Sequence, residues 1–233
     1  MFFMSLENQI YTRKSCRNYS DEELDMAAIH EFMGNVKPLV EGIDYSYDIL
    51  SSDEVKVRTG WSAPYYLALY SEKKDFYLEN IGFIFQQLSL HLQSTGIGSC
   101  WVGMASPKVK GDDFVIVISF GKSDSITREK SAFKRKKLDE ISDFADEKLI
   151  PAQLAPSAIN SQPWYFKHAE GGFDVYQQKQ NILKRQVLKK WNPIDMGIAL
   201  AHLYVSNENS FEFYKKTSFD EIKGYTYTGS IKI

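Results

Sequence analysis

Arg13-Lys14-Ser15-Cys16-Arg17 gathers three cations and a hydroxyl into five residues, just ahead of a predicted helix start at Asp21. Guanidinium forks and a hydroxyl can wrap a phosphate, and a helix N-terminus nearby adds positive potential. The same run also describes an ordinary solvated face. A second segment, Leu154 to Trp164, reads LAPSAINSQPW. Pro156 and Pro163 bracket Ser157, Asn160, Ser161 and Gln162, so a stiffened loop offers hydroxyls and amides that both donate and accept. Such a loop can read the edge of a planar heterocycle, and its lack of a carboxylate suits binding rather than acid-base work. Asx and Ser turns in a plain loop are the other reading. A third segment, Gly96 to Gly103, follows a helix and carries three glycines that permit close backbone approach to a ligand or simply end the helix in a turn. It lacks the G-x-G-x-x-G spacing of a dinucleotide fingerprint.

Other chemistries find little support. His30, His91, His168 and His202 lack the spacing of metal ligands, and neither G-x-S-x-G nor a Walker loop occurs. Cys100, beside Trp101, is expected to be a small core residue in a buried turn, whereas Cys16 among three cations is expected to have a lowered pKa and raised reactivity. No side chain is assigned as a nucleophile, acid or base, and no metal site is expected.

These segments need elements to hold them. Ser20 and Glu23 form a capping-box pattern for a helix over Asp21–Met33, with Leu24, Ala28 and Phe32 on one stripe and Gly34 as its stop. Tyr45–Leu50, Ala63–Tyr70 and Phe114–Phe120 read as strands. Ile81, Ile84, Phe85, Leu88 and Leu92 make one face of a helix between Glu79 and Thr95. Later come a helix over Leu138–Leu149, strands at Trp164–Lys167 and Phe173–Tyr176, a nearly all-apolar helix over Ile194–Val205 and a strand from Tyr225 to Ile233. Lys122–Lys137 is polar and basic and reads as a linker, so the chain divides into halves 1–125 and 126–233. Placing Gly82 over Gly197, 115 residues on, aligns Ile81-Gly82-Phe83-Ile84 with Met196-Gly197-Ile198-Ala199 and Leu88 with Leu203. An internal duplication accounts for that register, as does a shared liking of core helices for small residues.

Composition limits the partners. With 43% hydrophobic and 25% charged residues in 233, the chain is expected to fold rather than remain disordered. A net charge of -2 supplies no general field for a nucleic-acid backbone. The apolar run Ile81–Leu92 is interrupted by Gln86, Gln87 and His91 and is shorter than the roughly 20 residues of a membrane span. Met1-Phe2-Phe3-Met4 is too short for an export leader, and two cysteines are too few for a disulfide framework, so a reducing cytoplasm is the expected location. Aromatic residues reach 14%, which a packed core explains without a flavin.

Taken together, the three segments resemble the FMN-dependent nitroreductase superfamily, and in particular its Thermotoga-type branch of fused halves. Arg13, Ser15 and Arg17 match an Arg-x-Ser-x-Arg motif. Pro156, Ser157, Asn160, Gln162, Pro163 and Trp164 match a Pro-Ser-x-x-Asn-x-Gln-Pro-Trp loop, and Gly96–Gly103 matches a glycine-rich turn. In the family that loop ordinarily precedes the central helix; here it follows it, as a duplication whose halves each kept part of the site would explain. The resemblance implies an α+β fold, a nitroreductase-like three-layer sandwich of two related halves forming a pseudo-dimer around a mixed, mostly antiparallel sheet. It implies one FMN per chain, with Arg13, Lys14 and Ser15 at the phosphate and ribityl end and Arg17 near the pyrimidine side of the ring. Backbone amides of Gly103 and Met104 would face N5 and O4. Pro156, Ser157, Ala158, Asn160 and Gln162 would contact the ring or ribityl edge, and Arg135 would be a further phosphate ligand. It also implies ping-pong hydride transfer through flavin N5 from NADH or NADPH to a small-molecule acceptor such as a nitroaromatic or quinone. Trp61, Tyr65, Trp164 and Trp191 are the candidates for the substrate face, and the chain would be a monomeric pseudo-dimer or a homodimer. An FMN reservoir or sensor without turnover remains the alternative, and a third reading is a domain that has lost FMN.

Overall fold

The computed structural model describes residues 6–180 and 188–233. In chain order its elements are α1 (Leu6–Ile10), α2 (Ala27–Met33), β1 (Tyr45–Ser51), β2 (Val55–Val57), β3 (Tyr65–Ser71), α3 (Tyr77–Ser94), β4 (Ile97–Val102), β5 (Ala105–Pro107) and β6 (Phe114–Lys122). There follow α4 (Leu138–Ile141), α5 (Ile150–Leu154), β7 (Trp164–Ala169), β8 (Gly172–Gln178), α6 (Trp191–Ser206), β9 (Glu212–Tyr214) and β10 (Tyr225–Lys232).

Two four-stranded sheets have the orders β1-β3-β6-β4 and β7-β8-β10-β9, and their paired strands are antiparallel. Within each sheet the strands lie first, second, fourth, third, with a long helix connecting the second to the third. β6 is buried along nearly its whole length because both faces are covered. Ile116, Ile118 and Phe120 enter the main core while Val117 joins a smaller cluster with Tyr66, Ala63 and Val102, which is why its sequence is a continuous apolar run rather than an alternating one. The main core draws on both sheets and both long helices, with Leu67 and Leu69 at one side and Phe166 and Val175 at the other.

Between the sheets α3 and α6 pack so closely that Gly82 lies on the Ile194 carbonyl and Gly197 on the Glu79 carbonyl. Further positions 115 residues apart do matching work. On α3, Asn80 Oδ1 accepts from Leu39 N (2.8 Å) and Val40 N (3.2 Å), and Gln87 Nε2 donates to Lys37 O (2.8 Å). On α6, Asp195 accepts from Ala158 N, and His202 Nδ1 faces Pro151 O at 2.9 Å. Each helix thus secures the stretch of chain that precedes its own sheet.

Three expectations need correction. The first α2 residue is Ala27, not Asp21, and its amide donates to Asp25 Oδ1 (2.9 Å) rather than to Ser20. Ser20 N is instead tied to Lys122 O at the end of β6 (2.9 Å), which holds the chain extended. The helix expected over Leu138–Leu149 breaks after Ile141. Ser142 is extended, and its hydroxyl takes the Leu138 carbonyl that a continuing helix would have bonded. The glycine-rich turn is mostly strand β4: only Gly96 adopts a left-handed φ, +82°, while Gly98 leaves room for Cys16, whose Cβ and Sγ would lie 2.7 Å from an added β-carbon. The basic connector Lys122–Lys137 is tied to the N-terminal segment, since Arg128 N donates to Thr12 O (2.8 Å) and Arg13 bridges to Thr127. No helix among the described residues is long and apolar enough to cross a membrane.

Candidate functional site

One cavity of about 370 Å³ gathers residues from segments far apart in the chain. Ser15 and Arg17 come from the N-terminal segment, Gly103 and Met104 from the turn after β4, and Pro156, Ser157 and Ala158 from the proline-bracketed loop. Ile194, Asp195 and Ile198 of α6 also line it. A neighbouring cleft of about 440 Å³ shares Ile159 and Leu188 with it and takes in Asn160 and Ser161, and another of about 620 Å³ lies along Phe219–Tyr227; neither brings Ser15, Arg17 and Ser157 together. The volume of the first lies within the range of small-molecule sites.

Arg13 is 5% exposed, and its Nη2 donates to Ser15 Oγ at 2.9 Å while its buried Nη1 has no partner. Burial, then the neighbouring Arg128 and Arg135, push its guanidinium down to about 9. Burial and Arg128 push Arg135 down to about 10, and its Nε is likewise buried without a partner. Arg128 Nε donates to Arg13 O (3.0 Å), and its guanidinium lies 3.7 Å from the Phe133 ring. Among the described residues no carboxylate forms an ion pair with any of the three. The buried Arg13 and the half-buried Arg128 and Arg135 repel one another, and an anion between them offsets both the repulsion and the lost hydration.

Ser157, Asn160 and Gln162 organise the loop itself. Gln162 N donates to Ser157 Oγ (2.9 Å), and Asn160 Oδ1 accepts from Arg135 Nη1 (2.8 Å) while its Nδ2 donates to Lys134 O (2.9 Å). Gln162 Oε1 accepts from Lys136 N (2.7 Å). Asn160 and Gln162 therefore point their amides at residues 134–136 and do not line the cavity, and Arg135 meets the loop through Asn160. Lys14 also lies off the cavity, donating to Ser125 Oγ.

Trp101 lines the cavity and is held by a buried chain. Its Nε1 donates to Gln86 Oε1 (3.0 Å), and Gln86 Nε2 meets His202 Nε2 (3.0 Å). Pro151 O can only accept, so His202 carries its proton on Nδ1 and Nε2 accepts from Gln86. Burial, then Arg13, push His202 down to about 3, which agrees with this neutral tautomer. Of the four aromatic candidates, Trp61 and Trp191 line the cavity, Trp191 lying against Gly103. Trp164 is instead buried in the core, and Tyr65 packs on Phe120.

The reactive-thiol expectation for Cys16 is overturned. Burial is the largest influence on it and raises the thiol above its ordinary value despite Lys14 and Arg13; Cys100 is raised by burial as well. Sequence reasoning missed Asp195, Trp101 and Arg128. An aspartate inside an almost wholly apolar helix was a visible signal for the first. For Arg128 the signal was its position 115 residues after Arg13.

Comparison with known proteins then decides the family. The family described as "Putative TM nitroreductase" matches residues 5–207. The chain belongs to this nitroreductase family. The nitroreductase fold extends over the whole chain: a nitroreductase structure from Thermotoga maritima MSB8 covers 99% of this chain and 94% of its own, at 20% identity and a TM-score of 0.67. An FMN-dependent nitroreductase from Clostridium difficile R20291 covers 52% of this chain and 91% of its own, at 18% identity and a TM-score of 0.43. No curated protein matches the sequence. The α+β nitroreductase architecture expected from the motifs is the one present.

Proposed function

We propose that this chain is an FMN-dependent NAD(P)H oxidoreductase of nitroreductase type, acting in the cytoplasm on a small-molecule acceptor such as a nitroaromatic or quinone. The observation that carries the reading is Arg13, a buried guanidinium whose Nη1 has no hydrogen-bond partner and which has no carboxylate partner among the described residues, joined through Ser15 to the cavity. That donor set fits a phosphate: planar, charge-assisted, and backed by Arg128 and Arg135. Arg13, with Arg128 and Arg135, would hold the phosphate, and Ser15 would mark the ribityl end.

FMN, when bound, supplies hydride acceptance and delivery, so no protein nucleophile is required. The chain's own residues bind, orient and shield. Ser157 and Ala158 form one wall, and Gly103 and Met104, with Trp101 fixed by Gln86, form another. Arg17 places a positive charge at the cavity, where it favours the more negative reduced cofactor. The exposed side chains of Met104 and Ile159, 60% and 74% accessible, make an apolar rim suited to a flat aromatic acceptor.

The cavity draws on both 1–125 and 126–233, so we assign one FMN per chain and no partner subunit to complete it. The shared strand order and the 115-residue register support a duplicated chain in which one of two ancestral sites persists. The test is the visible spectrum of the purified protein with added FMN, followed by anaerobic NADH or NADPH. Flavin bands that bleach support the oxidoreductase; bound flavin that stays oxidised points to a reservoir or sensor, and absence of flavin binding refutes the site.

A further inference from the structure

Asp195, 3% exposed on α6, lines the cavity, and among the described residues no cation pairs with its carboxylate. Its Oδ1 and Oδ2 lie 3.0 and 3.1 Å from Ala158 N, and Oδ2 accepts from Ser161 Oγ at 3.3 Å. Burial pushes it well above the usual carboxylate range, so holding it there is costly. Its bonds go to a loop in an unfavourable conformation. Ile159, Asn160 and Gln162 all have left-handed φ values, 48°, 57° and 47°. Asn tolerates that region, but a β-branched residue does not, and Ile159 is too exposed for packing to compensate. The Ser157–Gln162 bond and the ties to residues 134–136 hold the loop on one side, and Asp195 holds it on the side of α6.

We propose that Asp195 is a positioning residue: its carboxylate clamps the Pro156–Gln162 loop against α6 and so fixes the cavity wall formed by Ser157 and Ala158. The consequence for flavin affinity rests on the FMN reading above; the clamp itself does not. A second observation supports the role of the position. Asn80 stands 115 residues earlier, on α3, and its Oδ1 accepts two backbone amides, Leu39 N and Val40 N. The same helical site holds a preceding loop in both halves, with a neutral amide in one and a carboxylate in the other. An acceptor oxygen is therefore what the clamp needs, and Asp195→Asn retains it whereas Asp195→Leu does not.

The experiment measures hydrogen exchange of the 156–162 peptide in flavin-free protein, and FMN affinity by quenching of FMN fluorescence, for wild type, Asp195→Asn, Asp195→Leu and Ser161→Ala. Loss of a hydrogen bond to a charged group corresponds to roughly tenfold or more. Asp195→Leu should speed loop exchange and weaken FMN binding by about that factor, while Asp195→Asn stays within about threefold of wild type on both. A leucine variant with unchanged loop exchange overturns the clamp, as does an asparagine variant that behaves like leucine. If the leucine variant does not fold, Ser161→Ala decides: faster loop exchange supports the clamp and unchanged exchange overturns it. A wild-type protein that binds no FMN removes the flavin reading, and the exchange measurement still judges Asp195.

Discussion

Gly82 and Gly197 are reciprocal contacts: a β-carbon on either would run into the carbonyl of the residue three positions before the other, Ile194 in one direction and Glu79 in the other. Two backbones can approach this closely only without side chains between them, and the obstacle is main chain that no rotamer change can move.

Gly82→Ala and Gly197→Ala should each destabilise the protein. Helix propensity favours alanine by about 1 kcal/mol, but overpacking against backbone costs about 1 to 3 kcal/mol or more, so the clash outweighs it. Denaturant midpoints measure this, with Gly60→Ala as the control, since nothing lies within 4 Å of a β-carbon there. Equal midpoints for all three variants would contradict the helix contact.

Arg13→Ala should have opposite effects on stability and binding. Removing the buried guanidinium that the half-buried Arg128 and Arg135 repel relieves repulsion, so the flavin-free protein should keep or gain stability. Its FMN affinity should fall by about 1.5 to 3 kcal/mol, the worth of a charge-assisted bond, while riboflavin, which has no phosphate, should lose much less. Titration with both ligands checks it, and an equal loss for both would rule out the phosphate role.

His202 predicts a slope of stability with pH. The unfolded histidine takes up a proton near its ordinary 6.5, and the folded one, buried beside Arg13, not until about 3. Between those values the unfolded chain binds more protons, so stability falls as pH falls through that window, by up to about 5 kcal/mol, and the loss levels off below about 3. His202→Gln keeps a donor for Pro151 O, as Gln87 donates to Lys37 O on α3, and an acceptor for Gln86, and should flatten that part of the curve. Denaturation series from pH 7 to pH 4 would show a persisting slope if another group is responsible.

Saturating FMN should give one equivalent per chain, read by absorbance after removal of free ligand. Two equivalents would mean that both halves hold a complete site, contrary to a single cavity shared by Ser15 and Ser157.

Much of this was readable because local chemistry and local structure agreed. Ile81 to Leu92 carries a helical stripe, Phe114 to Phe120 a buried strand, and the two prolines around Ser157 a rigid loop. Strand β4 was hidden because Gly96 precedes it and Gly98 interrupts it, glycine having little intrinsic strand preference; pairing with β6 makes it a strand. Ser20 failed as a cap because β6 claimed its backbone first. The motif residues were found, but not which way they point: Asn160 and Gln162 serve Lys134, Arg135 and Lys136, bonds across more than twenty residues of chain that no local pattern encodes.

The paired positions on α3 and α6 bear on how the proposed duplication has diverged. In an assembly of two identical chains every substitution strikes both copies at once, so neither position can specialise alone. Joining the copies in one polypeptide lifts that restriction. Asn80 stands opposite Asp195 and Gln87 opposite His202: one member of each pair is an uncharged amide, and the other is ionisable and lies near the cavity or its arginines. The glycines could not follow, because each is held by the other helix's backbone. Under that proposal, symmetry is kept where the halves touch and given up around the proposed site.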